Sequence, residues 1–397
     1  MPGIRDRVAV VGMGCTRFGE LFNKSDQDLM VDSCFEACED AKIDLKEIKA
    51  AWLGMQGAET GSSGCKLARA LKTDYIPVTR VENYCATGIE AFRNASYAIA
   101  AGIYDIALAC GVEKLKDTGT TGLTQMGGEG QFGSWVWAPV IAPARFALAA
   151  TRYFHTYGLS AQEGKRMLAM IAVKNHHNGS LNRRAHFQRE ITVEQAINAP
   201  MIAWPLGLFD CCGVSDGSAA AILTTPEIAK RIRDDYLMVK GFGVCADAGT
   251  FGVIPSDYDF VHIEAIVRSG KMAYEEAGIK NPRQEVDIAE VHDCFTITEA
   301  IICEDLGFTV RGKYREDLEA GAFNIGGEIP VNTDGGLKCF GHPIGASGLR
   351  MLFESWLQLR GKAEARQLKN PRIGVAQNYG GLPGGGISGM AIVGARD

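Results

Sequence analysis

No Cys-x-x-Cys pair occurs among the twelve cysteines, no apolar run reaches the roughly 18 residues of a membrane span, and no lysine or arginine run makes a basic stripe. The first absence argues against a structural zinc site or a secreted disulfide framework, so no metal is expected. The second argues against a transmembrane protein. The third, with a formal net charge of −6 and a pI near 5.8, argues against nucleic acid or an anionic membrane as the main partner. No signal-like segment precedes Val8, and the expected compartment is the cytoplasm. The short basic cluster Asn182-Arg183-Arg184 with His186 reads as solvated surface that could meet a phosphorylated ligand.

What is present is a large apolar fraction, 46% of 397 residues, enough for two or three domain-sized units. Residues 7–12 read as a buried strand ending at Gly12, 29–41 as a helix, 49–54 as a second strand and 105–111 as a third, a βαβ rhythm that implies a mainly parallel sheet. Residues 119–158 break into Gly-rich and aromatic sequence. Helices over 161–176 and 192–198 follow, then Ser215-Asp216-Gly217-Ser218-Ala219-Ala220 enters a strand. Cys211-Cys212, Cys34 and Cys38 read as core, and His176-His177 as an exposed helix face.

The second half repeats the first. Residues 37–43 match 273–279, residues 85–89 match 345–349, and the strand 105–111 matches 372–376, three correspondences in the same order. The chain therefore reads as a duplicated α/β unit, divided as 1–235 (with a loop domain over about 115–210) and 236–397. Two such halves facing across a pseudo-two-fold axis bring helix N-termini and strand ends from both to one cleft.

Cys85 sits where a turn enters a helical pattern (Ile89, Phe92, Ile99), a position that favours a thiolate. Residues 286–291 form a strand ending in His292-Asp293-Cys294-Phe295. His342 lies in a glycine-rich turn ahead of the helix that mirrors the Cys85 helix, and residues 377–386 read as a loop whose glycines let backbone N–H groups approach a ligand. A nucleophile, two imidazoles, a second thiol and backbone donors make an acyl-transfer set. Cys339, three residues before His342, is a rival second thiol.

These three blocks resemble the active-site blocks of thiolases over nearly the full chain. Better-known thiolases carry Asn-Glu-Ala-Phe where this chain has His292-Asp293-Cys294-Phe295, and a Cys-x-Gly loop where it has Asn378-Tyr379-Gly380. Both departures resemble the sterol-carrier-protein-type and archaeal-type branch. The resemblance implies the thiolase fold: two duplicated halves with mixed five-stranded sheets in an αβαβα layered arrangement, plus a loop domain. It implies Cys85 as nucleophile, His342 as its base, His292 as a hydrogen-bond donor to an enolate, Cys294 as acid/base, and the backbone N–H groups of Cys85 and Gly380 as an oxyanion hole. It also implies coenzyme A and acyl-CoA as substrates with no other cofactor, a homodimer core, and a small zinc-ribbon/OB-fold partner subunit.

The reaction so implied is thiolytic cleavage of a 3-oxoacyl-CoA, or the reverse condensation. A decarboxylating condensing enzyme and a non-catalytic acyl-CoA-binding scaffold are the competing classes. Phe132, Trp135, Trp137, Phe146, Tyr153, Phe154 and Tyr157 place seven aromatics within residues 132–157. Lining the acyl pocket, they would favour a benzoyl-type substrate such as benzoylsuccinyl-CoA over acetoacetyl-CoA; packing the loop domain or a dimer interface, they would not.

Overall fold

The computed structural model describes residues 3–57, 63–73, 75–118, 142–247 and 258–396. Its main sheet has nine strands: β1 (Ala9–Cys15), β2 (Ala50–Gly54), β3 (Val78–Val81), β4 (Ile106–Lys114), β5 (Asp216–Thr224), β6 (Leu237–Ala246), β7 (Ile288–Glu290), β8 (Ile373–Leu382) and β9 (Gly385–Ala395). They run in the order β3-β2-β4-β5-β1-β6-β9-β8-β7.

The duplication is visible in this order. From β3 to β1 the pairings are parallel, parallel, antiparallel, antiparallel. On the other side β7–β8 is parallel while β8–β9 and β9–β6 are antiparallel, and an isolated parallel bridge from Ala289 to Val331 stands where β3 would. Among the described residues the ladder that joins the two sets edge to edge is short, pairing Ala9 with Met238 and Val10 with Leu237. The mainly parallel sheet expected from the βαβ rhythm is therefore mixed. β5 follows β4 through a long insertion rather than one crossover helix, so it is free to return antiparallel. All nine residues of β5 are buried, as befits a central strand covered on both faces.

Helices α1 (Asp26–Ala41) and α5 (Glu264–Ala277) cover the outer faces of the two strand sets, on β1 and β5 and on β6 and β9. Between the sets lie α2 (Thr87–Ala100) and α8 (Ile344–Leu359), packed on each other and on strands of both, which completes five layers. Two further helices, α3 (Ala142–Thr156) and α4 (Ala161–Ser180), belong to the insertion between β4 and β5, while α6 (Thr296–Asp305) and α7 (Gly336–Cys339) flank the sites described below. The starts of α2 and α8 meet so closely that a Cβ on Gly88 would lie 2.9 Å from the Gly345 carbonyl oxygen and one on Gly345 2.5 Å from that of Gly54. Any side chain there would push the halves apart, and with them Cys85 and His342.

A buried ion cluster locks α8 to its sheet. Arg350, fully buried on α8, contacts Glu290 at the end of β7 at 3.0 Å and also Asp334, while Arg366 holds Glu354 at 2.8 Å. Arg350→Met should strand two buried carboxylates and cost roughly 3–5 kcal/mol, read as a lower midpoint in urea unfolding. Stability within 1 kcal/mol of wild type, as an approximate limit, would mean that the carboxylates protonate and repack without it.

Candidate active site

Cys85 lies just ahead of the first turn of α2, in a tight bend. Tyr84 takes a left-handed φ of 48°, and the Thr87 hydroxyl ties the bend by accepting from the Asn83 N–H and donating to the Tyr84 carbonyl. His342 approaches from the other half. Its Nε2 is 3.2 Å from Cys85 Sγ, and its Nδ1 is 2.7 Å from Ser347 Oγ. The Ser347 hydroxyl donates to the Pro343 carbonyl at 2.9 Å, so toward His342 it can only accept. That assigns the proton to Nδ1 and aims the Nε2 lone pair at the Cys85 thiol.

His292 stands with its ring 5.3 Å from that of His342, at a near-perpendicular angle of 83°. The Asn378 amide faces its Nδ1 at 3.4 Å, which leaves Nε2–H free to donate. Asn378 thus occupies, as a second-layer support, the place of the cysteine in a Cys-x-Gly loop. Residues 377–386 are not a loop: β8 and β9 form a hairpin through Leu382 and Gly385, and glycine richness had hidden the strand alternation. The N–H that pulls on the Cys85 sulfur, beside that of Cys85 itself, is Gly381's, on a left-handed φ of 111°. Gly380 packs its Cα against the bend, with a Cβ there only 2.8 Å from the Cys85 nitrogen.

Asp293 ties the blocks together. Its carboxylate accepts from the Leu337 N–H at 2.6 Å, the Lys338 N–H at 3.3 Å and Asn175 at 2.8 Å, capping α7 and fixing His292-Asp293-Cys294 to the segment that carries His342. Cys294 is buried nearby, its carbonyl accepting from the Cys212 N–H at 2.8 Å. It lies near enough to Cys85 and Cys212 that their charges add to burial in raising its pKa, while the Thr298 hydroxyl lowers it. Cys85, His292 and His342 are the closer trio, with donor atoms within 4.8 Å of one another.

The electrostatics reverse the sequence expectation for Cys85. Burial, joined by the Glu113 carboxylate, pushes its thiol up to about 12 and outweighs the helix start. Burial, with Arg350's charge, holds His342 down to about 3, and burial with His342 and Arg350 holds His292 well below the usual imidazole range. The resting pair is thus neutral thiol and neutral imidazole. With iodoacetamide at neutral pH, exposed Cys65 rather than Cys85 should be labelled first with activity retained, as peptide mapping against residual activity will show. Early labelling of Cys85 with parallel inactivation would mean that its thiol ionises in the free enzyme.

Glu113, at the end of β4, carries no motif and escaped the sequence reading. It is buried and accepts from Gln56 at 3.2 Å, Gly57 at 2.7 Å and Gly345 at 2.9 Å, joining β2's exit to the start of α8. A charged pair, Glu113-Lys114, closing an otherwise apolar strand was its only signal.

Other expectations change. Cys339 gives its S–H to the Phe187 carbonyl at 2.8 Å, while the thiol beside His342 is that of Cys85, which argues against the rival. Only His177 of the histidine pair is exposed; His176 is buried and bonds the Arg189 carbonyl at 2.9 Å. The cluster at 182–186 is only partly solvated, because Arg184 pairs with Glu36 and His186 meets Ser215 at 2.9 Å; of its members only Arg183 is exposed. Cys34 and Cys38 are core, as expected, whereas Cys211 and Cys212 flank the site, Cys211 bridging to Phe295. Of the seven aromatics, Phe132, Trp135 and Trp137 lie outside the described residues. Phe146 stacks on Phe295 at 4.5 Å, one residue from Cys294. Tyr153 donates to Glu304 at 2.5 Å and Phe154 packs on Gly164, so these two serve the packing of the insertion.

Among the described residues no helix is long and apolar enough to cross a membrane. Residues 8–227 match the family described as Thiolase, N-terminal domain, and 251–387 match Thiolase C-terminal domain-like. An acetyl-CoA acetyltransferase of Methanothermobacter thermautotrophicus is 36% identical over 386 residues, covering 95% of this chain and 97% of that protein. Benzoylsuccinyl-CoA thiolase subunit BbsB of Thauera aromatica is 30% identical over 387 residues, covering 94% and 95%. The solved Ltp2-ChsH2(DUF35) aldolase shares the fold with a TM-score of 0.85 at 23% identity, over 99% of this chain and 98% of that one. With the duplicated five-layer fold and family matches to both halves, this chain is an acyltransferase enzyme that belongs to the thiolase family.

Proposed function

We propose that the protein catalyses CoA-dependent cleavage of a short 3-oxoacyl-CoA, acetoacetyl-CoA in the first place, and the reverse condensation of two acetyl-CoA molecules. The observation that carries this reading is the Ser347–His342–Cys85 chain, which presents an imidazole lone pair to a buried thiol at 3.2 Å. His342 Nε2 takes the Cys85 proton as the sulfur attacks the 3-oxo carbonyl. The bond between C2 and C3 then breaks, and its electron pair passes into the enolate of the departing thioester. His292 Nε2–H and the protonated His342 donate to that enolate oxygen, and Cys294 gives its proton to C2, releasing acetyl-CoA. Free CoA, its thiol deprotonated by the Cys294 thiolate, attacks acyl-Cys85. The oxyanion that forms meets the backbone N–H groups of Cys85 and of Gly381 in β8, and Cys85 leaves, taking its proton back from His342. Side chains and CoA suffice for every step.

Acetyl transfer is supported by the relatives named acetyl-CoA acetyltransferase at 36% and 35% identity. The benzoylsuccinyl-CoA reading is second, supported by the relative at 30% identity and by the Phe146–Phe295 stack beside Cys294, on which a flat acyl group could rest. A competition assay decides between them: acetoacetyl-CoA and benzoylsuccinyl-CoA together with CoA, products read by mass spectrometry. Acetyl-CoA as the dominant product from acetoacetyl-CoA is expected. A kcat/KM about 10-fold higher for benzoylsuccinyl-CoA, a difference of about 1.4 kcal/mol, would replace the first reading by the second.

A homodimer core and a small zinc-ribbon/OB-fold subunit complete the proposal. The edge strand β3, unpaired on its outer side among the described residues, and the exposed apolar hairpin with Met201, Ile202 and Trp204 are the surfaces that support association, and the neighbouring Ltp2-ChsH2(DUF35) assembly supports the second partner.

A further inference from the structure

The three closest groups of the site suit a second occupant. Cys85 Sγ, His342 Nε2 and one ring nitrogen of His292 lie within 4.8 Å of one another, on three buried residues. Zinc bound tetrahedrally by one sulfur at about 2.3 Å and two imidazole nitrogens at about 2.0–2.1 Å sets its donors about 3.4–3.6 Å apart. The Cys85–His342 separation of 3.2 Å is already of that size. Closing the third corner takes a side-chain movement of roughly 1 Å.

The surroundings point the same way. Ser347 already orients His342 through Nδ1, as the second layer of a metal site would, and leaves Nε2 facing Cys85. Around His292 the present amide orientation leaves Asn378 Oδ1 buried and without a hydrogen-bond partner. Turning that amide offers the oxygen to Nδ1–H and shifts the His292 lone pair to Nε2. A dication with one thiolate leaves one positive charge, which the buried Glu113 carboxylate opposes. Arg350, the nearby cation, is itself paired with Glu290 and Asp334.

We propose that Cys85, His292 and His342 form a binding site for a borderline-soft divalent cation, zinc in the first place, and that its occupation displaces the Cys85 proton, blocks acyl transfer and switches the enzyme off reversibly. The fourth, open position would take water or the sulfur of CoA.

Cobalt(II), which reports thiolate ligation through a charge-transfer band, tests this on the full chain without substrate, so the result does not depend on which acyl group the enzyme handles. One equivalent should bind with that band, zinc should displace it, and chelator should restore activity. Cys85→Ala should abolish the band, and His292→Ala should weaken binding about 100-fold or more. Cys85→Ser, which keeps the side-chain volume, should also lose the band while retaining the wild-type melting temperature. No cobalt–thiolate band, or a band that survives in Cys85→Ser and disappears in Cys65→Ser, would overturn the proposal. So would cobalt binding that persists undiminished in His292→Asn.

Discussion

His342→Ala should lower the rate of Cys85 acylation by about 10³ and change its pH dependence. A thiol held up to about 12 by burial and Glu113 is almost wholly protonated at neutral pH, so attack depends on a base that removes its proton as the bond forms. His342 itself is held down to about 3, and in the wild type the pair keeps the same protonation from about 3 to about 12, which makes acylation nearly flat across the neutral range. Without the imidazole, hydroxide must do the work. The log of the rate should then climb one unit per pH unit up to the Cys85 pKa. Single-turnover acylation, followed by quench and mass spectrometry from pH 6 to pH 10, measures both features, and added imidazole should recover part of the loss. A flat profile in the variant, or a loss of only a few fold, would assign the proton to some other group.

The second large effect separates the two thiols. Cys294→Ala should still take an acyl group onto Cys85 from acetyl-CoA, more slowly than wild type because the departing CoA thiolate loses its proton donor, yet lose net 3-oxoacyl-CoA cleavage by a factor on the order of 10² or more, because protonation of the departing carbon and deprotonation of CoA both lose their group. The separation follows from where the residues sit. Cys294 is outside the close trio and is linked to it through the chain and through Cys212, whereas Cys85 touches His342 directly. Normal turnover in Cys294→Ala combined with loss in Cys212→Ala would transfer the acid/base role to the neighbouring thiol, which burial also pushes far up.

Much of this was legible in residue order. The three repeat correspondences fall on equivalent elements: the C-terminal ends of α1 and α5, the starts of α2 and α8, and strands β4 and β8. Cys85, His292 and His342 meet because the duplication places two helix starts face to face, and spacing alone suggested that. What could not be read were quantities set by contacts across long stretches of chain. The ionisation of Cys85 depends on Glu113 and on burial by the other half; a cysteine before a helix looks activated when its neighbours in space are unknown. Arg350 on α8 is buried against Glu290, 60 residues earlier, a pairing that no local pattern announces. His176 looked exposed for the same reason, its cover coming from the segment around Phe187 and Arg189. The hairpin of β8 and β9 was misread because glycines carry no alternation of apolar and polar side chains.

The central claim is that Cys85 carries the acyl group. Brief incubation with acetyl-CoA in the absence of an acceptor, acid quench and peptide mapping should place one acetyl group on the peptide containing Cys85, removable by CoA and absent in Cys85→Ala. An acetyl group on any other residue, or none at all while thiolysis proceeds at the normal rate, would contradict the account.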